Sequence, residues 1–106
     1  MEYTLNEIGI ISNLSLNEKK KFISKYCNDM KILELSRKIK NIQNYKDYLT
    51  MFIDSLQKDD KKVFLENFIF NNPEPNWYLN HWSKTTYYKK LHLVVNNFLR
   101  FLYAIK

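Results

Sequence analysis

The run Ser83-Lys84-Thr85-Thr86-Tyr87-Tyr88-Lys89-Lys90 gathers three aliphatic hydroxyls, three ammonium groups and two phenols into eight positions. Residues of these types hold anions: hydroxyls donate hydrogen bonds to phosphate oxygens and lysines neutralise their charge. Ser83 also supplies a side-chain oxygen where the first unpaired amides of a helix need one, and the start of a helix is electropositive. On a helix beginning there, Lys84, Thr85, Tyr88, Lys89 and His92 share one face. Tyr87, Leu91, Val94, Val95, Phe98 and Leu102 recur on another, which must be buried. One element thus anchors a core and presents a cationic head.

Other chemistry finds little support. His81 and His92 are the only imidazoles, eleven positions apart, without the histidine–carboxylate spacing that holds zinc on one helix. Cys27 is the single cysteine and falls on an apolar stripe, where a small core residue is expected rather than a nucleophile. Asp59-Asp60 reads as a helix cap rather than an acid–base pair, and with one glycine in the chain no phosphate-cradling loop exists. The expectation is a protein that is not an enzyme and takes no metal or cofactor.

The charge is +6 but unevenly placed. Residues 1–72 hold 12 basic and 10 acidic side chains; residues 73–106 hold 5 basic and a single acid, Glu74, which precedes the helix from Ser83. An acid-free cationic helix suits an anionic partner. The argument fits RNA as well as DNA. The lone cysteine points to a reducing cytoplasmic setting, and no apolar run is long enough for a membrane span.

The elements that must position these groups are helices, because one glycine and two prolines leave few places for hairpins. Thr4 and Glu7 have capping-box spacing before a short helix through Leu5, Ile8 and Ile11. Ser15 and Glu18 repeat the box before a helix burying Leu16, Phe22, Ile23, Tyr26 and Cys27, with Lys19, Lys20 and Lys21 on a wet face. Asn28-Asp29 is expected to break this helix and cap another whose stripe is Ile32, Leu35, Ile39 and Ile42. Asn44 and Asp47 open a helix burying Tyr45, Tyr48, Leu49, Phe52, Ile53 and Leu56. Asp59 or Asp60 caps the next, with Val63, Phe64, Phe68 and Ile69, and Pro73 and Pro75 end it. A short helix follows at about residues 76–80, holding Trp77, Tyr78 and Leu79. A turn through His81 and Trp82 comes next, with Asn80 or His81 supplying a positive φ. The expected fold is all-α, a compact multi-helix bundle with a C-terminal helix-turn-helix and a long last helix. It forms one domain over residues 1–106, with N-terminal helices in 1–43 and the helix-turn-helix in 44–106.

Residues Asp54 to Phe70, then Trp77 to Trp82, then Ser83 to Lys90, resemble region 4 of sigma-70-type factors. They are closer still to the small ArpU- and RinA-type phage transcriptional regulators and to related basic proteins of low-GC bacteria. The shared pattern is Ser, Lys or Arg, a small polar residue, Thr, an aromatic or Val, Tyr and Arg, before a long helix ending in apolar residues. Ser83, Lys84, Thr86, Tyr87 and Tyr88 occupy it, with Lys89 where arginine is commoner. The resemblance covers roughly residues 50–103. It implies a recognition helix starting at Ser83 and binding to promoter DNA as a transcription regulator. Ser83, Lys84, Thr85, Thr86, Tyr88, Lys89, Lys90 and His92 would meet double-stranded DNA. A lysine lacks the bidentate fork of arginine, so docking on the phosphate backbone is favoured over reading bases.

The ending Phe98-Leu99-Arg100-Phe101-Leu102-Tyr103-Ala104-Ile105 supports a different class of function. It is apolar on more sides than one core contact requires, which predicts a homodimer, or docking onto a partner such as RNA polymerase, through Phe98, Leu99, Phe101, Leu102 and Ile105.

Overall fold

The computed structural model describes residues 13–41 and 47–105. They form an all-α fold of four α-helices: α1 (Leu16–Ile39), α2 (Tyr48–Ser55), α3 (Lys58–Phe64) and α4 (Lys84–Ile105). A π-helical turn, Leu65–Ile69, extends α3, and a one-turn 3-10 helix, Trp77–Asn80, precedes α4. The expected helix through Leu5, Ile8 and Ile11 lies outside the described residues, as do Ile42, Asn44 and Tyr45.

The core is built around α4, which buries Tyr87, Leu91, Val94, Val95, Phe98, Leu99 and Leu102 along its length. α3 packs against it most extensively, with Val63 and Phe64 buried, and the π turn adds Phe68. Phe98 is the hub. Its ring lies 5.6 Å from Tyr26 of α1, 4.9 Å from Phe52 of α2 and 5.3 Å from Phe64 of α3. Three helices therefore meet on one side chain of the fourth, with edge-on and tilted rings that favour aromatic contact.

This packing corrects the expected role of the C-terminal stretch. Phe98, Leu99 and Leu102 are buried in the chain's own core, and Phe101 and Ile105 are half-buried against it. Three of the five residues assigned to a dimer or polymerase contact are therefore enclosed within the chain, and Phe101, 5.4 Å from the Phe52 ring, and Ile105 keep part of their surface exposed.

α1 departs from expectation in the opposite direction. It runs unbroken for 24 residues through Asn28 and Asp29, with no new cap there. Asparagine and aspartate cost only about 0.5 kcal/mol each inside a helix. Burial of Tyr26 and Cys27 just before them, and a hydrogen bond from Lys31 Nζ to the Ile69 carbonyl at 2.6 Å just after, hold the segment helical. The stripe beyond is not core: Ile32, Leu35 and Ile39 are all more than half exposed. The helix ends at Lys40, and Asn41 follows with φ 56°, the left-handed conformation that asparagine tolerates after a helix.

The caps are mostly local. Ser15 Oγ accepts from the Glu18 amide at 3.3 Å, and Asp47 accepts from the Thr50 amide at 3.0 Å and its hydroxyl at 2.7 Å. Asp59 and Asp60 are not caps. Gln57 is the N-cap residue of α3, and the two carboxylates sit in its first turn, where the helix dipole favours negative charge. Lys19, expected on a wet face, donates to Asn96 Oδ1 at 3.0 Å and ties α1 to α4.

Burial also fixes the titration of two core groups. Desolvation pushes the Cys27 thiol up from 9.0 to about 12, partly opposed by the Lys31 charge. Burial likewise raises the Tyr87 phenol, against the lowering effect of its hydrogen bond to Asn67. An unfolded chain loses the thiol proton at its ordinary value while the folded chain keeps it. Stability is therefore full below about pH 9 and falls as pH rises towards 12, by up to ~1.4 kcal/mol per pH unit from this group. Urea midpoints measured between pH 8 and 11 should fall steadily, and Cys27→Ala should make the fall shallower. An equally steep fall in Cys27→Ala would show that the thiol plays no part.

Candidate nucleic-acid interface

The head of α4 is set by the turn before it. Trp77–Asn80 closes as a 3-10 helix, and the amides of both His81 and Trp82 donate to the Tyr78 carbonyl at 2.9 Å. The expected positive φ at Asn80 or His81 is absent. His81 has φ −120°, and the non-glycine residues with positive φ among the described ones are Asn41 and Asn71. The chain reverses through this double bond instead, without a left-handed residue.

Ser83 then caps α4 as its sequence position requires. Its Oγ accepts from the Thr86 amide at 3.2 Å and donates to Thr86 Oγ1 at 3.0 Å, while its carbonyl accepts from the Tyr87 amide at 2.9 Å. Ser83 and Thr86 are thus engaged with each other. They position the helix start, which leaves Thr85 as the hydroxyl nearest the exposed lysines.

Beneath the head lies a polar and aromatic anchor. The Tyr87 hydroxyl donates to Asn67 Oδ1 at 3.2 Å and accepts from Asn67 Nδ2 at 3.0 Å; the same amide donates to the Val63 carbonyl at 2.8 Å. Tyr87 stacks on Tyr78 with ring centroids 3.8 Å apart and an interplanar angle of 3°. Trp77 meets Tyr87 edge-on at 5.6 Å. The π turn carries Asn67, so the irregular part of α3 holds the first turn of α4, while the 3-10 helix supplies the stack. Nothing in the sequence pattern announced the Asn67–Tyr87 pair, twenty positions apart. A polar residue inside an apolar helical stretch, opposite a buried phenol, was the one available signal.

On the outer face, Lys84, Thr85, Tyr88, Lys89 and His92 line one shallow, open groove. All five are exposed, and Tyr88, one position around from buried Tyr87, is 38 % exposed. The structure therefore brings together these five of the eight residues expected to meet nucleic acid. Lys90 stands apart. Its ammonium lies 3.7 Å from Asp59 Oδ2 of α3 and 5.8 Å from the Trp82 ring centroid, and its side chain is only 26 % exposed. It braces α3 and the turn against α4.

No acid interrupts α4, and Asp59 and Asp60 of α3 share an adjoining pocket with Lys89 and Lys90. Such a surface can bind a polyanion through its phosphates, with Tyr88 and His92 offering apolar and hydrogen-bonding contacts. Among the described residues, no cluster of three or more histidine, cysteine, aspartate or glutamate side chains could hold a metal ion. No protein-family model, curated protein or solved structure matches the chain. The fold and this surface define an all-α protein with a buttressed basic helix start.

Proposed function

We propose that the protein is a cytoplasmic double-stranded DNA-binding regulator of transcription that docks the head of α4 on the phosphate backbone, as a helix-turn-helix does. The observation that carries this reading is the division of α4 into two faces. Seven buried residues fix it in the core, while Lys84, Thr85, Tyr88, Lys89 and His92 form one exposed groove on a helix without acids. The order of α3, a 3-10 turn, a capped reversal and a long helix supports it, as does the likeness of residues 83–90 to the recognition helix of sigma region 4-type regulators.

In this reading Lys84 and Lys89 neutralise phosphates and Thr85 donates to a phosphate oxygen. Tyr88 and His92 reach towards the groove. The contacts are weighted to the backbone, so affinity exceeds sequence discrimination. Among the described residues no helix is long and apolar enough to cross a membrane.

The test is a salt titration of duplex binding. If about four phosphates are neutralised, log K falls with log[salt] with a slope of roughly −4. A slope near zero, or no duplex binding at low salt, would rule the proposal out.

A further inference from the structure

A second groove lies around Lys90 from the head of α4, between α3 and the turn. It encloses about 690 Å³ and is lined by Lys58, Lys61 and Lys62 with Phe70, His81 and Trp82, together with Leu65 and two acids. That volume falls within the roughly 300–1,000 Å³ typical of sites that enclose small organic groups.

It is richer in aromatic surface than the α4 groove, which has the rings of Tyr88 and His92: here Phe70, His81 and Trp82 stand among three lysines. Phe70 is 63 % exposed, an unusual position for a phenylalanine in a chain whose core is built of them. The cause is the π turn, in which the Phe70 amide bonds to the Leu65 carbonyl at 2.8 Å. The wider turn re-aims the residues that follow it. Asn71, with φ 51°, then turns the chain away and leaves the ring at the groove wall. Trp82 is half-buried and His81 exposed, with ring centroids 5.4 Å apart.

The two acids do not offset the lysines in full. Asp59 is paired with Lys90, and Glu66 Oε2 accepts from Asn72 Nδ2 at 2.8 Å, which directs that carboxylate towards the loop after the π turn. With Lys90 above Trp82, the groove and its rim carry more positive than negative charge.

Partly exposed rings interleaved with lysines match the chemistry of single-stranded nucleic acid, in which bases stack on side chains while cations follow the phosphates. We infer that the groove formed by Lys58, Lys61, Lys62, Phe70 and Trp82 binds unpaired nucleotides of a single strand, separately from the duplex surface on α4. Phe70 and Trp82 take the bases, and Lys58, Lys61 and Lys62 take the flanking phosphates.

Of the two tryptophans, Trp82 lines the groove and the Trp77 ring lies 6.1 Å from that of Trp82, so a change in intrinsic fluorescence reports on the groove through Trp82. A short oligothymidylate should quench the emission of the full chain, with an affinity that falls as salt is raised. Phe70→Ala, at an exposed position, should keep the circular dichroism of the wild type and weaken oligothymidylate binding roughly 5- to 100-fold, the range expected for one lost base stack. Its duplex binding should change less than about twofold, a difference below ~0.4 kcal/mol. Unaltered oligothymidylate affinity in Phe70→Ala would overturn the inference. So would quenching by a glutamate- and aromatic-rich peptide in place of oligothymidylate, which would make the groove a peptide site. Failure of the duplex reading leaves a different signature, namely oligothymidylate quenching that depends on Phe70 without any duplex binding.

Discussion

Phe98→Ala is expected to cost about 3–5 kcal/mol of folding stability, enough to unfold much of the protein, since small domains have only about 5–15 kcal/mol in all. The side chain is fully buried and its ring touches Tyr26, Phe52 and Phe64 on three other helices. Truncation removes the apolar transfer energy of the ring and leaves a void that three separate elements would have to move to fill. Tyr103, 55 % exposed on the same helix, provides the contrast: Tyr103→Ala should change stability by less than about 0.5 kcal/mol. Urea denaturation of the two variants decides between the two roles considered for the C-terminal stretch. A small loss in Phe98→Ala, accompanied by loss of self-association, would return this end of α4 to a partner surface.

The second large effect concerns binding. A Lys84→Glu, Lys89→Glu variant should bind duplex DNA about 100-fold more weakly at low salt, taking about tenfold for each lost phosphate contact. Its salt slope should flatten by roughly 2, because each lost phosphate contact removes about one unit. Both lysines are exposed and line the same groove. The melting temperature should therefore move little, and the loss can be separated from unfolding by circular dichroism. Lys90→Glu is the informative partner variant. It places a carboxylate beside Asp59 and removes the cation above Trp82, so its first effect should be on stability. If the double variant binds duplex as the wild type does, the head of α4 is not the contact surface.

The buttress beneath this head explains why an exposed residue can sit one position from a core residue. Tyr87 and Tyr88 are neighbours in sequence, yet the first is 3 % and the second 38 % exposed. The stack on Tyr78 and the hydrogen bonds to Asn67 fix the rotation of the first turn of α4, and that rotation turns Tyr88, Lys84 and Lys89 outward. Rigid presentation of this kind limits the side-chain ordering that binding would otherwise require.

How much of this was legible beforehand varied with the range of the interaction. The Ser15 and Ser83 caps depend on atoms three residues apart, and both form where their spacing places them, while Asp47, expected with Asn44 at the start of its helix, is itself the N-cap residue. The apolar period of α4 likewise follows from one helix's geometry, so Tyr87, Leu91, Val94, Val95, Phe98 and Leu102 were identifiable as its inner face. The type of Asp59 and Asp60 fits a cap, but the N-cap is Gln57, two residues before Asp59, and the helix from Lys58 uses the two carboxylates for their charge. Asn28 and Asp29 failed as a break for a different reason. Their weak local preference was outweighed by packing of the side chains before them and by the bond from Lys31 to the Ile69 carbonyl, 38 positions away.

By itself, then, the sequence determined an all-α chain, the caps at Ser15 and Ser83 and the acid-free cationic start of the last helix, because each of these rests on neighbours within one or two helical turns. Only the tertiary structure decided which apolar stripes are core. Phe98 is enclosed because aromatic side chains from three other helices converge on it, and Leu99 and Leu102 on the same helix are buried with it, whereas Ile32, Leu35 and Ile39 have the same periodicity and remain exposed. It also decided which lysines are free. Lys89 and Lys90 are adjacent and chemically identical, but the rotation of α4 against α3 brings Lys90 to Asp59 and leaves Lys89 facing outward. Periodicity specifies that a face exists; what lies opposite it is a property of the assembled chain.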